Sequence, residues 1–113
     1  MEMKHSLDPI IPCVDLEASQ AFYERLGFAL VSLFPAQGYR ILRDAAGATV
    51  HLTQVDAEWV DPQRTAYGVY FYAENVEALA DAFGCRADLK PGGLREFAIS
   101  DPSGTLVRIG WPA

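Results

Sequence analysis

The sequence predicts an α+β domain made of two β-α-β-β-β halves. Residues 39–54 (YRILRDAAGATVHLTQ) align with residues 96–111 (EFAISDPSGTLVRIGW) at a constant offset of 57. A short apolar strand and an amphipathic helix precede each copy, and a polar segment separates the copies. A chain of 113 residues has room for one such pair. We expect a single domain over 1–113, with module 1 at about 7–56, a linker at 54–67 and module 2 at about 67–113.

The first half begins with a strand and a capped helix. Asp15 is a favourable N-cap residue, and Gly27 is typical of a helix end. Apolar residues between them recur at helical spacing and predict one buried face, made of Ala18, Phe22 and Leu26. The predicted elements are a strand at 10–14, a helix at 16–26 and a strand at 28–34.

The second half repeats this order with a shorter helix. Asn75 is the predicted cap and Gly84 the predicted end, so the offset falls from 60 at the caps to 57 at the glycines. The helix should therefore lack nearly one turn. Its buried face is predicted to contain Val76, Leu79 and Phe83. The flanking strands are expected at 68–72 and, with a poorer pattern, at 86–90.

Each half closes with a hairpin whose turn has Asp first and Gly fourth. Asp44 and Gly47 form one turn, and Asp101 and Gly104 form the other. Side chains alternate between the two faces of each strand. The apolar set should face the helices, and it consists of Val50, Leu52, Val107 and Ile109. The opposite face then carries Thr49, His51, Thr53, Leu106, Arg108, Gly110, Tyr70 and Tyr72.

Composition excludes several classes of protein. Fifteen Asp and Glu against nine Lys and Arg give a net charge of −6, which argues against a nucleic-acid partner. No apolar run reaches the roughly 18 residues of a membrane span, and the N-terminus has no signal-peptide pattern. Cys13 and Cys85 show no disulfide or CxxC spacing and are expected to be free thiols in a reducing, cytoplasmic compartment.

The chain resembles the glyoxalase/bleomycin resistance proteins of the vicinal oxygen chelate superfamily. The segments IPCVDLEASQAFYERLGF (11–28), GYRILRD (38–44), GVYFYAENVEAL (68–79) and DPSGTLVRIG (101–110) carry the resemblance. It implies paired βαβββ modules whose curved mixed sheets enclose a cleft. For the bleomycin-binding members it further implies a homodimer with ligand crevices shared between subunits.

The resemblance also implies four metal-ligand positions, and most of them are unsuitable here. They fall on Asp8, His51, Gly68 and Arg108. Glycine has no side chain, and a guanidinium has no lone pair to donate. His51 is the only credible relic, so we expect no metal and no cofactor, although a rearranged site of His5, His51 and Glu96 stays open. The chain is thus expected not to be an enzyme.

The predicted binding cleft is lined by polar and aromatic residues. Arg108 could anchor an anionic or carbonyl group, and His51 could donate or accept a hydrogen bond, or both could simply line a polar cavity. Aromatic rings suit flat ligands. Trp59, in the linker, either stacks on a ligand or packs over the boundary between domain halves or between subunits of a dimer. Trp111 is expected in the core or an interface. The candidate ligand-binding residues are His51, Arg108, Tyr70, Tyr72, Trp59, Phe34, Tyr39 and Thr49.

The leading functional hypothesis is a non-enzymatic binding protein of the bleomycin-resistance type. It would sequester an aromatic, cationic antibiotic or metabolite, because an acidic protein concentrates cations. One alternative is a divergent metal-dependent lyase, isomerase or dioxygenase of the glyoxalase type. Another is a metal-free accessory or ligand-sensing domain.

Overall fold

The computed structural model describes residues 3–113, which form two compact units divided between Val55 and Asp56. Each unit contains one four-stranded mixed sheet and one α-helix. The strand order is β1-β4-β3-β2 in unit 1 and β5-β8-β7-β6 in unit 2. The elements of unit 1 are β1 (Ile10–Cys13), α1 (Leu16–Arg25), β2 (Ala29–Phe34), β3 (Tyr39–Arg43) and β4 (Thr49–Gln54). Those of unit 2 are β5 (Gly68–Tyr72), α2 (Val76–Ala82), β6 (Asp88–Leu89), β7 (Leu94–Ser100) and β8 (Leu106–Pro112).

The strand register confirms the repeat. Tyr39 lies opposite Thr53 in unit 1, and Glu96 lies opposite Gly110 in unit 2, which is the same pairing displaced by 57 residues. The first strand of each half pairs in parallel with the last. A residue of β3 or β4 and the residue 57 positions later in β7 or β8 therefore occupy equivalent positions in the two sheets.

The α1 helix starts where its cap was predicted, but its buried face is shifted. The Asp15 carboxylate accepts hydrogen bonds from the backbone amides of Glu17 and Ala18 at 3.0 and 3.1 Å. The most buried side chains of the helix are Ser19 and Tyr23, with Leu26 at its end, whereas Ala18 and Phe22 are only half-buried. The prediction was therefore right for Leu26 and wrong by one position for Ala18 and Phe22, because the ring of Tyr23 enters the core and contacts Phe22 and Phe28.

The α2 helix has seven residues where α1 has ten, which confirms the predicted shortening. Asn75 stands at its N-cap, but the side chain makes no capping hydrogen bond. Val76, Leu79 and Ala80 are buried, and Phe83 is half-buried. The strand expected at 86–90 is reduced to two residues, β6, at the sheet edge.

The two hairpin turns are built alike. Gly47 and Gly104 have φ of 102° and 90°, a left-handed conformation that glycine adopts without strain. The Asp44 carboxylate accepts from the amides of Ala46 and Ala48, while that of Asp101 accepts from Ser103 and Thr105. Both turns therefore have the predicted chemistry, although Asp101 is buried and Asp44 is not.

The alternation predicted for the strands is confirmed by burial. The residues expected to face the helices are all buried: Val50, Leu52, Val107 and Ile109. The α1 helix packs on β2, β3 and β4, and α2 packs on β7 and β8. Each sheet thus has a covered face and a second face that carries the candidate site residues. Cys13 is buried, Cys85 is half-buried, and both are free thiols, as expected.

Within residues 3–113, no helix has the length and apolar character needed to cross a membrane.

Candidate functional site

In unit 1, His51 lies between a phenol and a carboxylate. Its Nδ1 is 2.6 Å from the Tyr39 hydroxyl, and its Nε2 is 3.3 Å from Oδ2 of Asp8. When the imidazole is neutral, a proton on Nε2 faces Asp8 and leaves Nδ1 to accept from Tyr39. A protonated imidazole would instead donate to both neighbours. Asp8, His51 and Tyr39 therefore form one continuous series of polar contacts.

The two other candidate residues of unit 1 are Phe34 and Thr49. Phe34 is 45% exposed and packs edge-to-face on Tyr39, with ring centroids 6.4 Å apart. Thr49 is half-buried, and its hydroxyl accepts from Nε of Arg43 at 3.1 Å. Phe34, Tyr39 and His51 are thus contiguous, whereas the Thr49 hydroxyl is engaged by its own hairpin.

In unit 2, the carboxylate of Glu96 holds the two predicted polar residues together. Its Oε2 accepts from a guanidinium nitrogen of Arg108 at 3.1 Å, and its Oε1 accepts from the Tyr70 hydroxyl at 2.9 Å. Glu96 is only 8% exposed, so its charge requires a partner of this kind. Arg108 is more than half exposed and remains accessible from solvent.

Gly110 makes room for this cluster. A Cβ built on Gly110 would lie 2.1 Å from the Tyr70 hydroxyl oxygen, so no other residue fits without displacing the phenol. Withdrawal of the hydroxyl from water, followed by its bond to Glu96, raises the pKa of Tyr70 to about 12. The phenol is therefore a hydrogen-bond donor throughout the physiological range.

The remaining aromatic candidates of unit 2 are exposed. The ring of Tyr72 lies 4.7 Å from that of Tyr70 and is 62% exposed. Trp59 is 77% exposed on a single 3₁₀ turn, Ala57–Trp59. Trp111 is 38% exposed at the end of β8, so its placement in the core was wrong, whereas a place in an interface stays a prediction.

Comparisons with known proteins support the fold described above. Residues 5–42 match the family model described as "Bleomycin resistance protein-like N-terminal". A bleomycin-binding protein in complex with bleomycin superposes with a TM-score of 0.81 at 21% identity, over 97% of this chain and 100% of the other. The resemblance found in the sequence is confirmed. The fold is the glyoxalase/bleomycin resistance fold.

Two further solved structures share the bleomycin resistance fold. TnmS3, an antibiotic binding protein from Streptomyces sp. CB03234, has a TM-score of 0.73 at 23% identity, over 100% of this chain and 99% of the other. A lactoylglutathione lyase from Agrobacterium tumefaciens has a TM-score of 0.71 at 20% identity, over 97% and 95%. No curated protein matches the sequence.

The four residues at which the resemblance implies metal ligands do not together fit a metal ion. In unit 1, Asp8 and His51 are adjacent and could supply two ligands. In unit 2, Gly68 offers no donor, and even a Cβ there would lie 3.0 Å from the carbonyl oxygen of Leu106. Arg108 places a permanent cation at the last position. Among residues 3–113, no three His, Cys, Asp or Glu side chains are grouped so that they could hold a metal.

The sequence alone does not reveal the role of two residues in the unit 2 cluster, Glu96 and Gly110. In the sequence, Glu96 stands out only as a ligand of a rearranged metal site, and Gly110 only as a position on the open face. A glycine inside a strand marks a close approach, which is the signal that pointed to Gly110. For Glu96, the signal is a polar side chain at the position that corresponds to Tyr39 in the first half.

Proposed function

We propose that the protein is a non-enzymatic small-molecule binding protein of the bleomycin-resistance type, which sequesters an aromatic, cationic antibiotic or metabolite. The observation that carries the proposal is the set of aromatic side chains left open to solvent, Trp59, Tyr72 and Phe34, which are 77, 62 and 45% exposed. Exposed aromatic side chains provide stacking surface for a flat ligand. Similarity of fold to a bleomycin-bound protein and to TnmS3 is consistent with such a ligand.

The polar groups beside these rings suit recognition better than turnover. Tyr70 donates to a buried carboxylate and holds its proton to a pKa of about 12, so it does not act as a base at neutral pH. Glu96 is engaged by two donors. Protection by such a protein would come from stoichiometric capture, which requires high affinity and no catalytic group. The net charge of −6 favours a cationic guest.

We further propose that the ligand lies in crevices of a homodimer. The edge strand β2 exposes apolar side chains, and an uncovered apolar edge is a surface for pairing with another chain. The exposed residues are Leu30, Val31, Leu33 and Phe34. Cys13 and Cys85 form no disulfide, which is consistent with a reducing, cytoplasmic location. Sedimentation equilibrium of the purified protein tests the dimer, and a monomer at high micromolar concentration would contradict it.

Bleomycin titration followed by tryptophan fluorescence tests the binding proposal. Trp59 and Trp111 are the two tryptophans of the chain, so each can be observed alone. We expect saturable quenching in Trp111→Phe, which retains Trp59, and little change in Trp59→Phe. Trp59→Ala should weaken binding about tenfold through loss of stacking. Absence of quenching and of a thermal shift at high micromolar drug would exclude bleomycin as a ligand.

A second candidate is a divergent metal-dependent enzyme of the glyoxalase type. The contact between Asp8 and His51 favours it, since both stand at expected metal positions, and a lactoylglutathione lyase shares the fold. Calorimetric titration with Ni²⁺ or Zn²⁺ separates the two candidates. A stoichiometric binding heat that disappears in His51→Ala would support the enzyme, and a flat titration would support the binding protein.

A further inference from the structure

Unit 2 contains a cavity that extends beyond the cluster described above, since its lining includes Glu96 and Arg108 together with residues that the arguments above do not use. Its volume is about 540 Å³, and the residues that line it come from the end of α2, from β6 and from the central strands β7 and β8. Cavities of roughly 300–1,000 Å³ hold small organic molecules. The cavity is therefore large enough for a metabolite-sized ligand and not only for a single ion.

The lining of this cavity is unusually basic for so acidic a protein. Arg86, Lys90 and Arg108 line it, which places three of the nine basic residues of the chain around one cavity. Among residues 3–113, the side chains of Arg86 and Lys90 have no ion-pair partner. Two carboxylates, those of Asp88 and Glu96, also line the cavity. The formal charge of the lining is thus +1.

One of these two carboxylates is already neutralised. Glu96 accepts from Arg108 through one oxygen and from Tyr70 through the other, so the guanidinium of Arg108 already balances its negative charge. Arg108 uses a single nitrogen, Nη1, for this ion pair. Its Nε and Nη2 remain for a second acceptor, and these two nitrogens form the edge of a guanidinium that binds an oxyanion with two parallel hydrogen bonds.

We propose that this cavity binds a small organic molecule through its carboxylate or phosphate group. Arg108 binds the oxyanion with its free edge, and Arg86 and Lys90 supply the remaining positive charge. The inference goes beyond the function proposed above, because the proposed aromatic guest is cationic and this lining is basic. Asp88 is the one lining group that opposes an anion without a basic partner, so it limits the affinity.

The test is isothermal titration calorimetry of the intact protein with inorganic phosphate and, separately, with malonate, at constant ionic strength. We expect saturable binding of at least one of them and none of tetramethylammonium. Arg86→Gln and Lys90→Gln should each weaken binding about fivefold, and Arg108→Gln about tenfold or more. Asp88→Asn should tighten it about threefold, because removing a like charge from the lining favours the anion.

Arg64→Gln is the matched control, since it removes one exposed positive charge outside the cavity. It should leave the affinity unchanged. Cys85, which lines the cavity, reports occupancy independently. Alkylation of its thiol by iodoacetamide should slow with the same midpoint as the calorimetric titration, while buried Cys13 serves as the internal reference.

The proposal is overturned if neither anion binds, if Arg64→Gln weakens binding as much as Lys90→Gln, or if Cys85 reacts at an unchanged rate. Thermal unfolding without anion verifies that each variant folds. Bleomycin binding and its weakening in Trp59→Ala are independent of these results, so failure of the anion site and failure of the proposed function can be distinguished.

Discussion

The two halves of the chain share one backbone plan and differ in the chemistry of their open faces. His51 and Arg108 occupy equivalent positions, and so do Tyr39 and Glu96. In both halves these two side chains bond to each other across the hairpin, as phenol with imidazole in unit 1 and as carboxylate with guanidinium in unit 2. Both halves thus carry a polar pair at these positions, although both of its members differ between the halves.

The differences in unit 2 compensate one another. Tyr70 stands where unit 1 has Ile10, and Gly110 stands where unit 1 has Thr53. The hydroxyl added by Tyr70 occupies the space that a side chain at 110 would fill, and it reaches Glu96. Unit 1 keeps a titratable group at its centre, whereas unit 2 carries a permanent cation. The residues of unit 2 that differ from their unit 1 counterparts, Tyr70, Glu96 and Gly110, are joined by direct contacts.

The largest expected difference between the halves is in the stability that each hairpin turn loses when its Asp is replaced. Asp101→Ala should lower the free energy of unfolding by about 3 kcal/mol, because it leaves two amides of a buried turn without an acceptor. Asp44→Ala, in the more exposed turn, should cost about 1 kcal/mol. Urea denaturation of the two variants measures both values. Equal losses would show that burial does not distinguish the turns.

The second comparison concerns Gly110 and its counterpart Thr53. Gly110→Ala should cost about 2 kcal/mol, since the methyl group would overlap the Tyr70 hydroxyl and approach the carbonyl oxygen of Arg95. Thr53→Ala should cost about 1 kcal/mol or less, because this position already accommodates a side chain. The double variant with Tyr70→Phe should recover part of the loss. A Gly110→Ala protein as stable as the parent would refute the described packing.

The third prediction uses the alkaline pH range. The pKa of Tyr70 is raised from its ordinary value of 10.0 to about 12, so its contribution to stability is present below pH 10 and is lost as the pH rises toward 12. Tyr70→Phe should abolish this part of the loss, which thermal unfolding across that range would measure. Burial also raises the pKa of Tyr67, so a smaller alkaline loss of stability should remain in Tyr70→Phe.

The smallest expected difference is at the helix caps. Asp15→Ala should cost about 1 kcal/mol, because Asp15 accepts from two amides of the first turn of α1. Asn75→Ala should have almost no effect, since its side chain makes no capping bond. Urea denaturation compares the two variants. A larger loss in Asn75→Ala would reverse the assignment of the caps.

Much of the fold was predictable from short-range patterns. Cap residues, closing glycines and the alternation of strands are encoded within a few neighbouring positions, so the elements, the turns and the open faces were found. Tyr23 was missed because a tyrosine in a helix carries a polar group that hides its place in the core. The length of β6 was overestimated because an edge strand has only one neighbouring strand with which to pair.

The site was less predictable than the fold. The sequence placed Tyr70 and Arg108 on one face, but it did not show that Glu96 joins them, because residues 26 and 12 positions apart meet only through strand pairing. A buried carboxylate is also uncommon unless a partner neutralises it. The basic cavity was missed for the same reason, since Arg86 and Lys90 meet Arg108 only through the order of the strands.

The central claim is that Arg108, and not a metal ion, supplies the positive charge at the open face of unit 2. Elemental analysis of protein purified without chelator tests this claim most directly. We predict substoichiometric nickel, zinc, iron and manganese, because Gly68 and Arg108 supply no ligand. One equivalent of any of these metals per chain would contradict it.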